Sequence, residues 1–335
     1  MKRKIISFIL FILLFVDIFS ENTNKTVIES NKELFHAAFN EQLRMLQGYD
    51  KISLKRSIFL YENAYYNGTL NYKEFCQSID SIVRKLKYNI KINGFEKYKT
   101  AGNWIVFSYM KEPSAINKFQ PFTYDFEDFA GEKDYSKMFV TKLMKTKKGN
   151  CMSLPLFYKI LCEELNTEAF LAKAPNHLYI KHRDEEGKWT NVELTNGGFP
   201  RDQWIIQQLS ISVEAIRQDV YMRPLSEKEN IVLTMHVLAN AYKFKYGYDK
   251  FVLSIADSAL SYFPNNIQIL MLKANCLLSF GKEEQKNENK NVDFLSSNYK
   301  LYQECVAKIN KLGYSEIDKE KYSEWIKSVE SNKKE

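Results

Sequence analysis

The chain has 335 residues, 45% of them hydrophobic, with only seven prolines and twelve glycines; it can bury a large core and carries too few breakers for a loop-rich sandwich. Its formal charge of +7 comes from lysines and acids interspersed along the sequence, which argues against nucleic acid as a partner. Five cysteines at wide spacings exclude a small disulfide framework, and His36, His177, His182 and His236 form no HExxH and lie beside no cysteine pair, so neither a metal nor another cofactor is expected.

Residues 1–20 open on Lys2, Arg3 and Lys4, run apolar over 5–16 with only Ser7 interrupting, and end at Ile18, Phe19 and Ser20. This is the pattern of a secretory signal peptide, with an apolar run too short for an ordinary membrane span. Losing Lys2, Arg3, Lys4 and Asp17 with it takes the charge from +7 to +5. The expectation is an exported protein in a periplasm, on a cell surface or outside; the Lys/Asn/Ile-rich composition suits a bacterium.

Residues 21–100 read as an N-terminal helical region. Leu34, Ala37, Ala38, Leu43 and Leu46 recur at helical spacing over 31–46, and the pattern repeats over 54–66 and 72–88, with Asn67-Gly68 as the turn between the last two. Residues 101–225 form the expected core domain. Over 98–131 the chain is crowded with aromatics (Trp104, Phe107, Tyr109, Phe119, Phe122, Tyr124, Phe126, Phe129) and carries Pro113 and Pro121. That reads as aromatic core beneath a long connection.

A helix is expected over 134–145, then a turn at Gly149. Pro155 is accepted only in a first helical turn, so a second helix starts near Ser153 and leaves Cys151 at its N-terminal end. Strands follow over 169–174, 177–183 and 189–195, the last two joined as a hairpin through 184–188. The remainder, 226–335, is helical, with segments over 227–245, 249–263, 266–280 and 294–312.

A cysteine is nucleophilic as thiolate, and outward-pointing amides at a helix start favour that form while facing any oxyanion that develops in acyl transfer. An imidazole must pair with the sulfur, and an acceptor must fix the imidazole's far nitrogen. With the hairpin turn centred near Glu185, His177 faces Glu193; a shift of the centre by one residue brings Thr195 or Asn191 opposite instead, on the same face. Cys151, His177 and Glu193 are therefore the candidate triad, with Asn191 in reserve. Cys162, in the apolar body of the helix, reads as an inert core thiol.

Three stretches carry a family resemblance: Gly149-Asn150-Cys151-Met152-Ser153-Leu154-Pro155, Ala174-Pro175-Asn176-His177-Leu178-Tyr179-Ile180, and Val192-Glu193-Leu194-Thr195-Asn196-Gly197-Gly198. Together they resemble the transglutaminase-like superfamily, in the branch with a GNCxSL core motif followed by tetratricopeptide-type helices. The resemblance spans roughly 125–280. It implies an α+β fold with a papain-like core, in which a Cys-bearing helix packs on a small antiparallel sheet, flanked by N-terminal helices and a C-terminal helical-repeat tail. It further implies Cys151 as nucleophile, His177 as general base and acid, and Glu193 as orienting group; beside this triad, Asn150, Asn176 and Asn191 are the candidate supporting residues.

Asp more often fills the third position in the family. Lys145 stands where a Gln at short distance upstream of the cysteine completes the oxyanion hole. The function implied is peptidase, amidase or acyl transfer on a peptide or protein. The alternative is an inactive fold that binds a protein partner with its helical tail, where Leu238, Ala239, Tyr242, Ala256, Ala259 and Pro264 resemble one repeat unit.

Overall fold

The computed structural model describes residues 26–314. The leader expected at 1–20 and the last part of the tail, 315–335, lie outside the described residues. Within them the protein is α+β and mostly helical, with one two-stranded parallel and one three-stranded antiparallel sheet. No helix among the described residues is long and apolar enough to cross a membrane.

Helix α1 covers 26–47. It is followed by α2 (Leu54–Tyr65), capped by the Ser53 hydroxyl on the Arg56 amide, and α3 (Tyr72–Ile92), capped by the Asn71 carboxamide on the Lys73 and Glu74 amides. The aromatic stretch is not a plain connection. It contains α4 (Ala101–Lys111), in which every residue except Trp104 and Lys111 is buried. A helix surrounded by protein has no polar face, so its sequence lacks the 3.6-residue alternation that identifies a surface helix.

Strand β1 (Thr123–Tyr124) pairs in parallel with β2 (Lys148–Gly149), which immediately precedes the Asn-Cys step. The single helix expected over 134–145 is two pieces: a 3-10 turn at Tyr135–Met138 and α5 (Val140–Thr146), separated by the extended Phe139. The break lets the buried Glu62 carboxylate of α2 accept the Val140 and Thr141 amides at 2.7 and 2.9 Å and so cap α5. Helix α6 (Ser153–Glu164) begins where Pro155 requires.

Strands β3 (Phe170–Ala174), β4 (His177–Arg183) and β5 (Trp189–Val192) form the antiparallel sheet in sequence order. The last strand ends three residues before the expected boundary because the chain folds back on itself, pairing Glu193 with Gly198. Two short helices follow, α7 (Asp202–Gln208) and α8 (Val213–Arg217), then α9 (Glu227–Tyr246), α10 (Lys250–Tyr262), α11 (Ile267–Glu284) and α12 (Val292–Lys311).

Both faces of the sheet are covered. Leu171, Leu178, Ile180 and Val192 join a large core that includes α1 to α6, α9 and α10, while Ala172, Ala174 and Tyr179 join a second core with α7, α8, α11 and α12. The tail therefore packs directly on the sheet that carries His177. Across the large core, the Ser57 hydroxyl lies 2.6 Å from that of Thr234, and Gln42 donates to Ser57 at 3.1 Å, a buried polar link among α1, α2 and α9.

Candidate active site

The segment leading to the cysteine is fixed on both sides. Gly149 is held in β2, and its carbonyl accepts the Asp125 amide at 2.7 Å. A Cβ on Gly149 would lie 2.6 Å from Leu143 Cδ1 and 2.8 Å from Ser153 Oγ, so only glycine fits where the chain passes between α5 and the start of α6. Asn150 is fully buried; its Oδ1 accepts the Met152 and Ser153 amides, both at 3.0 Å, and its Nδ2 donates to the Phe129 carbonyl at 2.9 Å. Asn150 is thus the cap of α6 and its tether to the 125–131 loop, and its side chain is fully engaged away from any substrate.

Cys151 is half-buried on the first step of this cap, its thiol directed to the Asn176 carbonyl at 3.8 Å. Asn176 has a left-handed backbone (φ 52°) in the two-residue turn between β3 and β4, and it serves the sulfur through its main chain. The Met152 amide is committed to Asn150. The Cys151 amide bonds no described residue, which leaves it as the N–H available to an oxyanion here.

His177 opens β4 and is buried, with Tyr179 stacked on it at 6.4 Å between centroids and an interplanar angle of 10°. Its Nε2 lies 2.5 Å from Glu193 Oε2, and the imidazole also interacts with the Cys151 thiol, for which Nδ1 is the remaining nitrogen. Burial alone would lower the imidazole pKa. The Glu193 charge and the ring's hydrogen bonds to Cys151 and Glu193 overcome that and raise it to about 10. Burial in turn would raise the Glu193 carboxyl, but the His177 charge and the Thr195 donors hold it below its ordinary value. Thr195 donates from its amide at 2.9 Å and from its hydroxyl at 2.6 Å to Glu193 Oε1.

The register that brings these groups together is not the one expected. Ile180 pairs with Val192 and Arg183 with Trp189, so the hairpin is centred on Glu186, and because the ladder ends at Val192 no residue of β5 is paired with His177. Glu193 reaches the imidazole from the position just past β5, where the chain folds back to pair with Gly198. Asn191 is not brought to the imidazole; it lies opposite Lys181 and donates to Pro200 O and Asp202 Oδ1. Thr195 and Tyr179 were missed as site residues, although a hydroxyl two positions after the acid, placed to bond a carboxylate locally, is a readable signal.

Comparison of the chain with family models, with curated proteins and with solved structures finds no match. The site therefore stands on its own residues. Cys162, Cys276 and Cys305 are buried, and burial raises all three thiols, that of Cys276 to about 12; Cys76 is the other half-buried one. Lys145 does not face the cysteine but lines a cavity of about 590 Å³ with Lys147, Phe59 and Phe75. His182 is held by the Arg183 carbonyl, and the half-buried His236 lies against Asn240, its pKa lowered to about 3 by desolvation and then by the Lys173 and Lys243 charges. Among the described residues no His, Cys, Asp and Glu side chains cluster as a metal site.

Proposed function

We propose that the protein is an exported, papain-like cysteine acyl transferase or amidase of the transglutaminase-like kind, acting on a peptide or protein amide. The observation that carries this reading is one imidazole, bound at Nε2 by a buried carboxylate and turned by its other nitrogen to a half-exposed thiol at a helix start. The Cys151 thiolate adds to the amide carbonyl, and the oxyanion faces the Cys151 N–H. Collapse of the adduct breaks the C–N bond, and the imidazolium of His177 gives its proton to the leaving amine. Water or a second amine then loses a proton to His177 as it attacks the thioester, and Cys151 departs as thiolate.

In this scheme Glu193 keeps the ring oriented and balances the imidazolium, while Thr195 keeps Glu193 oriented. The test is alkylation by an iodoacetamide probe at mildly acidic pH, read by peptide mass spectrometry. Cys151 should label faster than Cys76, and His177→Ala should slow Cys151 while leaving Cys76 unchanged. Equal rates at the two half-buried thiols, insensitive to His177→Ala, would refute the reading. Turnover is then assayed by incorporation of a fluorescent amine and by hydrolysis of a peptide library, with Cys151→Ser as the inactive control.

A further inference from the structure

Helix α3 buries Ile79, Val83 and Leu86 and turns Arg84, Lys85, Lys87, Tyr88, Lys91 and Ile92 to solvent. At 100° per residue those six exposed positions fall within an arc of about 160°, so they form one face. Beyond Gly94, whose φ of 66° turns the chain, the short turn Phe95–Lys97 and the following residues continue from the end of this helix and expose Lys97, Tyr98, Lys99 and Trp104. The Phe95 ring packs edge-on against Trp104 at 4.9 Å, fixing the indole at the rim.

Residues 84–99 hold six cations against one acid, Glu96. All six are exposed, and none pairs with an acid among the described residues. The nearby Glu185 spends its carboxylate on the Lys99 and Thr100 amides and the Thr100 hydroxyl. The overall mixing of charges along the chain hides this concentration. Amid the cations, Tyr88, Ile92, Tyr98 and Trp104 stand 46–64% exposed. A groove of about 430 Å³, bounded by Ser81, Arg84, Lys85, Tyr88, Asn89 and Ile116, opens on the same face. The positive field reaches further: after burial, it is Lys118 and Lys85 that depress the Lys147 ammonium.

We propose that this face docks the protein on an anionic phospholipid membrane, with α3 lying in the plane of the headgroups. The cations meet phosphates, and the groove between Arg84 and Lys85 admits one headgroup. Tyr88, Ile92, Tyr98 and Trp104 enter the interfacial layer, where amphipathic rings gain from one wet and one apolar side. Lysine stems lie along the surface with their ammonium groups raised to the phosphates. A nucleic acid would use the cations equally well, but it offers nothing to an exposed isoleucine. The surface is independent of the Cys151 chemistry, and Cys151→Ser should bind membranes unchanged.

The experiment is co-sedimentation of the purified protein with vesicles of mixed phosphatidylglycerol and phosphatidylcholine, and with phosphatidylcholine alone. Binding to the anionic vesicles only is expected, weakening as salt is raised. The combined variant Arg84→Glu, Lys85→Glu, Lys91→Glu should lose on the order of a hundredfold in affinity. Tyr88→Ala with Ile92→Ala should lose about tenfold with the salt dependence unchanged. These positions are all exposed, and unaltered thermal melts show that the variants fold. The proposal is overturned by equal binding to both vesicles or by none. It also fails if millimolar glycerol phosphate releases the protein, which makes the groove a soluble-anion site. Displacement by double-stranded DNA with the apolar variant binding as wild type makes the face a nucleic-acid site instead.

Discussion

At the scale of single residues, the proposed chemistry turns on the state of His177. Its pKa of about 10 depends on Glu193, so Glu193→Gln should lower it toward its ordinary 6.5, since burial is then opposed by Cys151 alone. The check is the pH dependence of Cys151 alkylation together with histidine NMR: the wild-type ring stays protonated through neutral pH, and the variant's does not. Turnover should fall about 10²- to 10⁴-fold, as expected when an orienting acid is neutralised. Thr195→Val removes one of two donors to Glu193 Oε1, a bond to a charged group worth about 1.5–3 kcal/mol. It should lower the His177 pKa modestly and kcat more than KM. The types and order of the triad were legible in the sequence because a thiol, a ring base and an acid are rare and separate choices. The Glu193 position that meets the ring was legible as well, but the register was not: the hairpin is centred one residue later than expected, and the contact is made just past the end of β5.

At the scale of elements, Cys151, the proposed nucleophile, is positioned by a short path: β2, the Asn150 cap and the first turn of α6. Asn150→Ala leaves the Met152 and Ser153 amides without their acceptor and frees the Phe129 carbonyl. A loss of about 1–2 kcal/mol in unfolding free energy is expected, with a slower Cys151 reaction even where the protein stays folded. Gly149→Ala should be worse for folding, since the added methyl meets Leu143 and Ser153 inside contact distance. Denaturant melts with parallel alkylation rates separate the two effects. The helical tail and β4 were readable from periodicity, and α6 from Pro155. Helix α4 was not, since Ile105, Val106, Phe107, Tyr109 and Met110 are all buried and leave no polar side to mark the period. The break at Phe139 was also hidden, because it exists to present the Val140 and Thr141 amides to Glu62, a partner 78 residues away.

At the scale of the whole molecule, stability should fall on the alkaline side. His177 is raised from 6.5 to about 10, so its contribution is complete below pH 6.5 and is lost as pH rises through 10. Glu62 is raised by burial from 4.5 to about 7, so its contribution is complete below 4.5 and lost as pH passes 7. Glu193, held below its ordinary value, acts oppositely: its contribution is present above 4.5 and is lost as pH falls through the lowered pKa. Urea unfolding at a series of pH values should therefore show greatest stability in the mildly acidic range. Glu62→Gln should flatten the slope between pH 4.5 and 7 while lowering stability overall, because one amide oxygen replaces two carboxylate acceptors.

The buried hydroxyl pair of Ser57 and Thr234 carries a kinetic corollary. A ribosome adding about 5–20 residues per second needs on the order of 10–35 s to travel from one to the other. For that interval the leading helices have no α9 to close over them. A nascent chain kept open this long would need no prior unfolding to pass a membrane pore, which is what the proposed export requires.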